Sequence, residues 1–348
     1  MAILNYGRVD IRALSYSRSS MLHQCPRKYL LEQHYKMSSN EPSNTFAYGH
    51  MVGRAIQETA AGHSKDVVIF RAMCEWGMDI YELGSDNEQR ALKSFWWGME
   101  LAEKFWELEH DPRTAILDGW EVAMLRTSDG KLHSGIELEF SIDCGPDSDW
   151  ENASDYDPNL PRPHFVYEGH IDCLLINKEH TKFRVLEIKT SSANNIHEAQ
   201  YQNSMQGAGY SVMVDKAAEV YGINPSYEVL YLVVLTKTQE FKPLPFIKSP
   251  VHRAEFLLNL GTDIEIIQMY NRNDHWPTNG GACYDFFRAC KHLNLCTMSR
   301  ETIAKAAFGV EGKPNLSFKT DENFAPFRFT LEELLVRQEA QAIHFVGE

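Results

Sequence analysis

No stretch of this 348-residue chain is apolar for long enough to cross a bilayer. The most apolar run, "VLYLVVL" at 229–235, has the length of a strand. A spanning helix needs about 20 predominantly apolar residues. The opening residues, "MAILNYGRVDIRALSYSRSS", lack the apolar segment of a secretory signal, so export is not expected. Basic residues are scarce: 34 Lys and Arg stand against 48 Asp and Glu, for a formal net charge of −14. That excludes a protein that coats nucleic acid through an evenly basic surface, but not one with a basic groove in one place. Internal repeats and low-complexity blocks are missing, which excludes solenoids and arrays. No zinc-finger or helix-turn-helix pattern is present, so any nucleic-acid chemistry is expected to ignore base sequence. A soluble cytoplasmic protein with no membrane contact follows by elimination. Its seven cysteines are then not expected to form disulfides.

What is present suits one large folded domain over 1–348: 43% of residues are apolar and 11% aromatic. Helical spacing predicts a helix at 17–36, another at 47–62, and a helical insertion over 64–110. The stripe in "QRALKSFWWGMELAEKFWELE" (89–109) is read as core. Then the period changes to that of strands. "GWEVAMLRT" (119–127) and "SGIELEFSID" (134–143) are expected to join across "SDGK". The stretch 143–163 concentrates acids, Pro, Gly and Asn and reads as an acidic solvated loop. Strands at 164–176 and 182–190, a helix at 197–220, a strand at 227–236 and a helix at 251–272 follow. A cysteine-rich segment (273–300) and a C-terminal tail (301–348) end the chain. The order predicts an α/β (α+β) fold, a central mixed sheet flanked by helices.

The chemistry concentrates in "YEGHIDCLLINKEHTKFRVLEIKTSS", residues 167–192. Strand side chains alternate faces, so Asp172 shares a face with Glu168 and His170, and Glu187 with Val185 and Lys189. If the polar faces align, two carboxylates and an ammonium meet. Neighbouring strands lie about 4.8 Å apart, close enough for both acids to share one divalent cation. Magnesium and manganese prefer such oxygen ligands. A lysine two residues past a carboxylate can orient a water or stabilise charge on a phosphoryl oxygen. The plainer alternative is an ion pair on the wet face of a hairpin.

The "GHID" and "EIKTSS" elements together resemble the PD-(D/E)XK nuclease superfamily, in particular its RecB-like, CRISPR-associated exonuclease branch. The resemblance implies a restriction-endonuclease-like core and a Mg2+- or Mn2+-dependent deoxyribonuclease, more an exonuclease than an endonuclease. It would act on single strands or duplex ends in recombination, replication or repair. Asp172 and Glu187 would hold the metal with the Ile188 carbonyl, and Lys189 would be catalytic. "QGAGY" is similar to the branch's Gln-x-x-x-Tyr element, which gives Gln206 and Tyr210 contact with the DNA. The branch's helical His falls on Gly53 here, so His50, one turn earlier, is expected to line the pocket. Cys25 with Cys283, Cys290 and Cys296, spaced C-x6-C-x5-C, resembles the branch's [4Fe–4S] ligand set. Four thiolates also suit a structural zinc, and unligated buried thiols are the third alternative. Closure of the cysteine segment onto Cys25 would gather Arg18, Arg27 and Lys28 beside Arg288, Lys291 and Arg300 as a cationic track. Two rival readings keep the fold but change the role: a non-catalytic DNA-binding or scaffold subunit, and a CRISPR-adaptation-like factor that trims DNA within a complex of protein partners.

Overall fold

The structure is a computed structural model. It describes residues 11–37, 44–76, 92–126, 130–150, 158–159, 161–193, 195–273, 275–285, 288–296, 298, 302–303 and 327–346. In chain order the elements are β1 (Ala13–Leu14), α1 (Tyr16–Gln24), α2 (Pro26–Gln33), α3 (Asn44–Ala60), α4 (Lys65–Trp76) and α5 (Phe95–His110). Four strands follow: β2 (Trp120–Val122), β3 (Met124–Arg126), β4 (Leu132–Ser134) and β5 (Ile136–Pro146). Next come β6 (His164–Asn177), β7 (Lys182–Ser191), α6 (Glu198–Gln202), α7 (Met205–Tyr221), β8 (Asn224–Leu235) and β9 (Glu240–Ile247). The last are α8 (Pro250–Arg272), β10 (Tyr284–Asp285), β11 (Arg288–Ala289), α9 (Leu293–Cys296), β12 (Phe327–Thr330) and α10 (Leu331–Val346). The chain divides into two compact units. One comprises Met1–Asn40, Ser141–Gly169 and Glu255–Arg337; the other Glu41–Phe140, His170–Ala254 and Gln338–Glu348.

The second unit holds a mixed sheet. β6 and β7 run antiparallel, β7 and β8 parallel, and β8 and β9 antiparallel. A parallel pair needs a crossover, and α6 and α7 provide it. β8 is paired on both sides, by β7 and β9, and "VLYLVVL" follows: Val229 to Leu235 are all buried. On one face Leu186, Leu230, Leu232 and Val234 pack with Tyr48, Met51 and Ile56 of α3, Val68 of α4, and Leu101 and Phe105 of α5. Each such side chain stabilises the fold by about 1.5–3 kcal/mol. α7 packs on β7 and β8, with Val212 and Met213 fully buried.

The strand expected at 119–127 is broken in two. Only 124–126 pair with 132–134, while β2 turns away to pair with β6. The joint is at Ala123 and Gly135. Ala123 N–H donates to the Leu174 carbonyl (2.9 Å), Gly135 N–H to the Ala123 carbonyl (2.8 Å), and Leu174 N–H to the Gly135 carbonyl (2.7 Å). A Cβ on Gly135 would lie 2.6 Å from the Leu174 carbonyl oxygen, so only glycine permits this approach. Gly135→Ala is therefore expected to lower the unfolding free energy by about 1–3 kcal/mol, read from a urea titration.

Two expected helices are also interrupted. The one at 17–36 splits at Cys25, which is extended (φ −160°), because Pro26 opens α2 at its first turn. Proline has no N–H and pushes the preceding residue out of the helical region. The helix at 197–220 is divided between α6 and α7. β9 has no counterpart in the expected order: Pro243 and Pro245 hide a strand in "EFKPLPFI", and an edge position tolerates them. A buried network anchors α10 within the second unit. Gln338 Nε2 donates to Asp215 Oδ2 (3.2 Å), Arg253 Nε to Gln338 Oε1 (2.7 Å), and Tyr227 Oη to Asp215 Oδ1 (3.0 Å).

In the first unit the stretch read as an acidic solvated loop begins inside β5, and Asp147 and Trp150 within it are buried. Asp147 accepts from Arg12 Nε at 3.2 Å and Gln268 Nε2 at 3.3 Å. Residues 151–157 of that stretch, 77–91 of the expected insertion and 304–326 of the tail lie outside the described residues. α1 and α2 are tied to the segment 276–292. Tyr29 stacks on Trp276 with ring centroids 5.9 Å apart. Arg27 N–H donates to the Pro277 carbonyl (3.0 Å) and Asn279 Nδ2 to the Gln24 carbonyl (2.8 Å). His292 Nε2 and Glu32 Oε1 are 3.0 Å apart.

Candidate active site

The ladder between β6 and β7 runs from Ile176–Phe183 to Cys173–Leu186. One step further it places Asp172 opposite Glu187, on the same face. There the backbone pairing gives way to side chains. Ile188 N–H donates to Asp172 Oδ2 (2.8 Å), and the Asp172 carbonyl accepts from Gln57 Nε2 on α3 (2.9 Å). Glu187 is 1% exposed. Its Oε1 lies 2.5 Å from Lys189 Nζ, while its Oε2 is buried without a hydrogen-bond partner. The Lys189 side chain is 37% exposed, so its ammonium reaches the surface.

Burial and the neighbouring Glu187 charge push the Asp172 carboxyl well above the usual range, against the pull of Ile188 N–H and Lys189. Burial also raises Glu187, opposed by Lys189 and by a hydrogen bond from Tyr210. A carboxylate whose folded pKa is raised destabilises the fold once charged. This contribution therefore grows less favourable as pH rises through the raised values. A cation between the two acids reverses that sign.

Gln206 and Tyr210 sit one turn apart on α7. Gln206 Nε2 donates to Tyr210 Oη (2.7 Å). Tyr210 is buried and hydrogen-bonds Glu187, while Gln206 is half-buried. His50 is exposed on α3, whereas its neighbour Gly49 faces Thr190 of β7. The residue of α3 that reaches β6 is Gln57, seven positions on and therefore on nearly the same helical face. Gln57 is buried against β6, whereas His50 is exposed. Glu137 was also missed: its Oε1 is 2.6 Å from Gln57 Nε2, and its charge acts on both Asp172 and Glu187. The alternation in "IELEF" marked β5 but not which strand it would join. Among the described residues no three His, Cys, Asp or Glu side chains form a ready-made metal-binding group. Asp172 is committed to Ile188 N–H and Glu187 to Lys189. The orphaned, buried Glu187 Oε2 nonetheless suits a cation, since such an oxygen is costly to leave unpaired.

In the first unit, Cys25, Cys283, Cys290 and Cys296 line one cavity of about 200 Å³, together with Lys28 and His292. Burial raises the Cys296 thiol, and the other three thiols act on it electrostatically in the same direction. All seven thiols are free. Of the expected cationic track, Lys291 pairs with Glu32 (3.4 Å) and Arg18 with Glu168 (3.5 Å). Arg300 and the side chain of Arg288 lie outside the described residues.

A mixed sheet with helices on both faces, carrying two acids and a lysine on adjacent strands, is the core of a nuclease. The chain belongs to the PD-(D/E)XK nuclease superfamily, whose family model matches residues 13–297. Nucleases of this superfamily generally use divalent metals such as Mg2+ or Mn2+. Eighteen solved chains match in structure. One, from Eubacterium rectale and provisionally described as an exonuclease, is 11% identical and has a TM-score of 0.43. The match covers 85% of this chain and 95% of that one, a likeness too distant to carry an argument. A search of curated proteins finds no match. Among the described residues no helix is long and apolar enough to cross a membrane.

Proposed function

We propose that the protein is a metal-dependent deoxyribonuclease of the RecB-like branch that degrades DNA from strand ends. The observation that carries the reading is Glu187: buried near Asp172, with one oxygen on Lys189 and the other without a hydrogen-bond partner. Asp172, Glu187 and the Ile188 carbonyl would hold Mg2+ or Mn2+, which when bound acidifies water and neutralises charge on the scissile phosphate. Lys189 orients the water that attacks phosphorus as the bond to the leaving oxygen breaks. Gln206 and Tyr210 fix the Glu187 carboxylate rather than touch the strand. The intact set argues against a scaffold that has lost catalysis. The test is digestion of 5′- and 3′-labelled single- and double-stranded DNA with Mn2+ or Mg2+, beside circular single strands. Shortening from one end with circles left intact is expected. Cleavage of circles would make the protein an endonuclease, and no cleavage of any substrate would favour the DNA-binding subunit.

The cysteine cavity supports a cofactor as well. Its four thiols suit a [4Fe–4S] cluster, with structural zinc as the competing occupant. Iron, acid-labile sulfide and zinc analysis of anaerobically purified protein separates the two. Iron with sulfide is the expected result.

A further inference from the structure

We infer that Glu137 is the third carboxylate of the metal site and that Gln57 is the positioning residue that holds it there. This rests on the nuclease reading above. Gly135 sets the geometry, since its carbonyl accepts the Leu174 N–H at 2.7 Å. That bond fixes the start of β5 two residues from Asp172. Glu137 follows two residues later with φ +49°, a left-handed backbone that a residue with a side chain seldom adopts. Such conformations persist where the surroundings impose them, often at functional sites. Glu137 lies on the face of β5 opposite buried Leu138 and Phe140, and its carboxylate accepts from Gln57 of α3.

Gln57 then joins the two acids through one amide. Its Nε2 is 2.6 Å from Glu137 Oε1 and 2.9 Å from the Asp172 carbonyl oxygen. Gln57 is 2% exposed, whereas Glu137 is exposed. The arrangement is a buried, neutral arm holding a solvent-facing carboxylate beside the half-buried Asp172 and the buried Glu187. Glu137 adds to the repulsion felt by Asp172 and Glu187. Three mutually repelling carboxylates, one with an unpartnered buried oxygen, are an unfavourable arrangement that a divalent cation would stabilise. Gln57 can release Glu137 to such an ion while still bonding Asp172, because its two bonds go to different acceptors.

The experiment is Mn2+ titration of the full chain by calorimetry, with thermal melting with and without Mn2+, for wild type, Glu137→Gln and Gln57→Ala. Glu137→Gln is expected to weaken Mn2+ binding by about tenfold or more, or to remove one bound ion. It should also melt no lower than wild type without metal, since one repulsive charge is gone, and gain less from added Mn2+. Gln57→Ala should weaken binding by a smaller factor and melt lower without metal. A purely structural Glu137 would give the opposite pattern: a lower metal-free melting point and unchanged Mn2+ affinity. That result overturns the inference while leaving the nuclease reading intact, provided wild type binds Mn2+ and cleaves DNA. Wild type that neither binds Mn2+ nor cleaves overturns both.

Discussion

Lys189→Ala is expected to slow DNA cleavage by about 10²–10⁴-fold, the usual worth of a positioned proton-transfer group. The side chain is partly exposed and contributes little packing, so the variant should fold. Its loss also removes the ammonium 2.5 Å from Glu187, a carboxyl already raised by burial. The Glu187 pKa should then rise further. The sign of the stability change follows: the variant is weaker than wild type where Glu187 is charged, and the deficit closes as pH falls and the carboxyl takes up its proton. Cleavage rates at saturating Mn2+ and melting curves from mildly acidic to neutral pH test both halves. A variant that cleaves within a few-fold of wild type would remove Lys189 from the chemistry.

Asp215→Ala should cost about 3–5 kcal/mol, enough to unfold many domains. Asp215 and Gln338 are 0% exposed, and Arg253 is 1% exposed. Removing the carboxylate takes one acceptor from the half-buried Tyr227 hydroxyl and leaves the fully buried Gln338 amide a donor short, a loss worth about 1–3 kcal/mol for the buried group. It also loosens Arg253, which otherwise donates to Gln338 and to the Lys248 carbonyl (2.6 Å) while lying 4.1 Å over the Tyr227 ring. Asp215→Asn keeps the shape and one acceptor and should lose less. Urea unfolding of the two variants measures the difference. A loss below about 1 kcal/mol for the alanine variant would show that α10 is dispensable to the second unit.

The hairpin that carries Asp172, Glu187 and Lys189 was legible because it is local. Alternation fixes faces within a strand, and a short polar turn leaves few registers. α3, α8 and β8 were legible for the same reason. Gln57 and Glu137 were not, because their partnership depends on where α3 and β5 meet β6, 115 residues from Gln57 in the chain. No periodicity encodes that distance. Tyr210 is found by its spacing, but its burial against Glu187 is not. Spacing i, i+4 places it beside Gln206 without saying which way the helix is rolled. The break at Cys25 was written in Pro26, and the helical reading overrode it. β9 shows the converse error, since prolines that exclude an interior strand are compatible with an edge.

The ties described between α1–α2 and the segment 276–292 use no thiol: two are backbone or amide contacts, one an aromatic stack, and two join Glu32 to His292 and Lys291. The cavity lined by Cys25, Cys283, Cys290 and Cys296 is thus framed by contacts that do not depend on sulfur. If a cofactor occupies that cavity, its removal is expected to leave the packing of α1 and α2 on 276–292 in place, so that loss of the cofactor and loss of the fold are separable events.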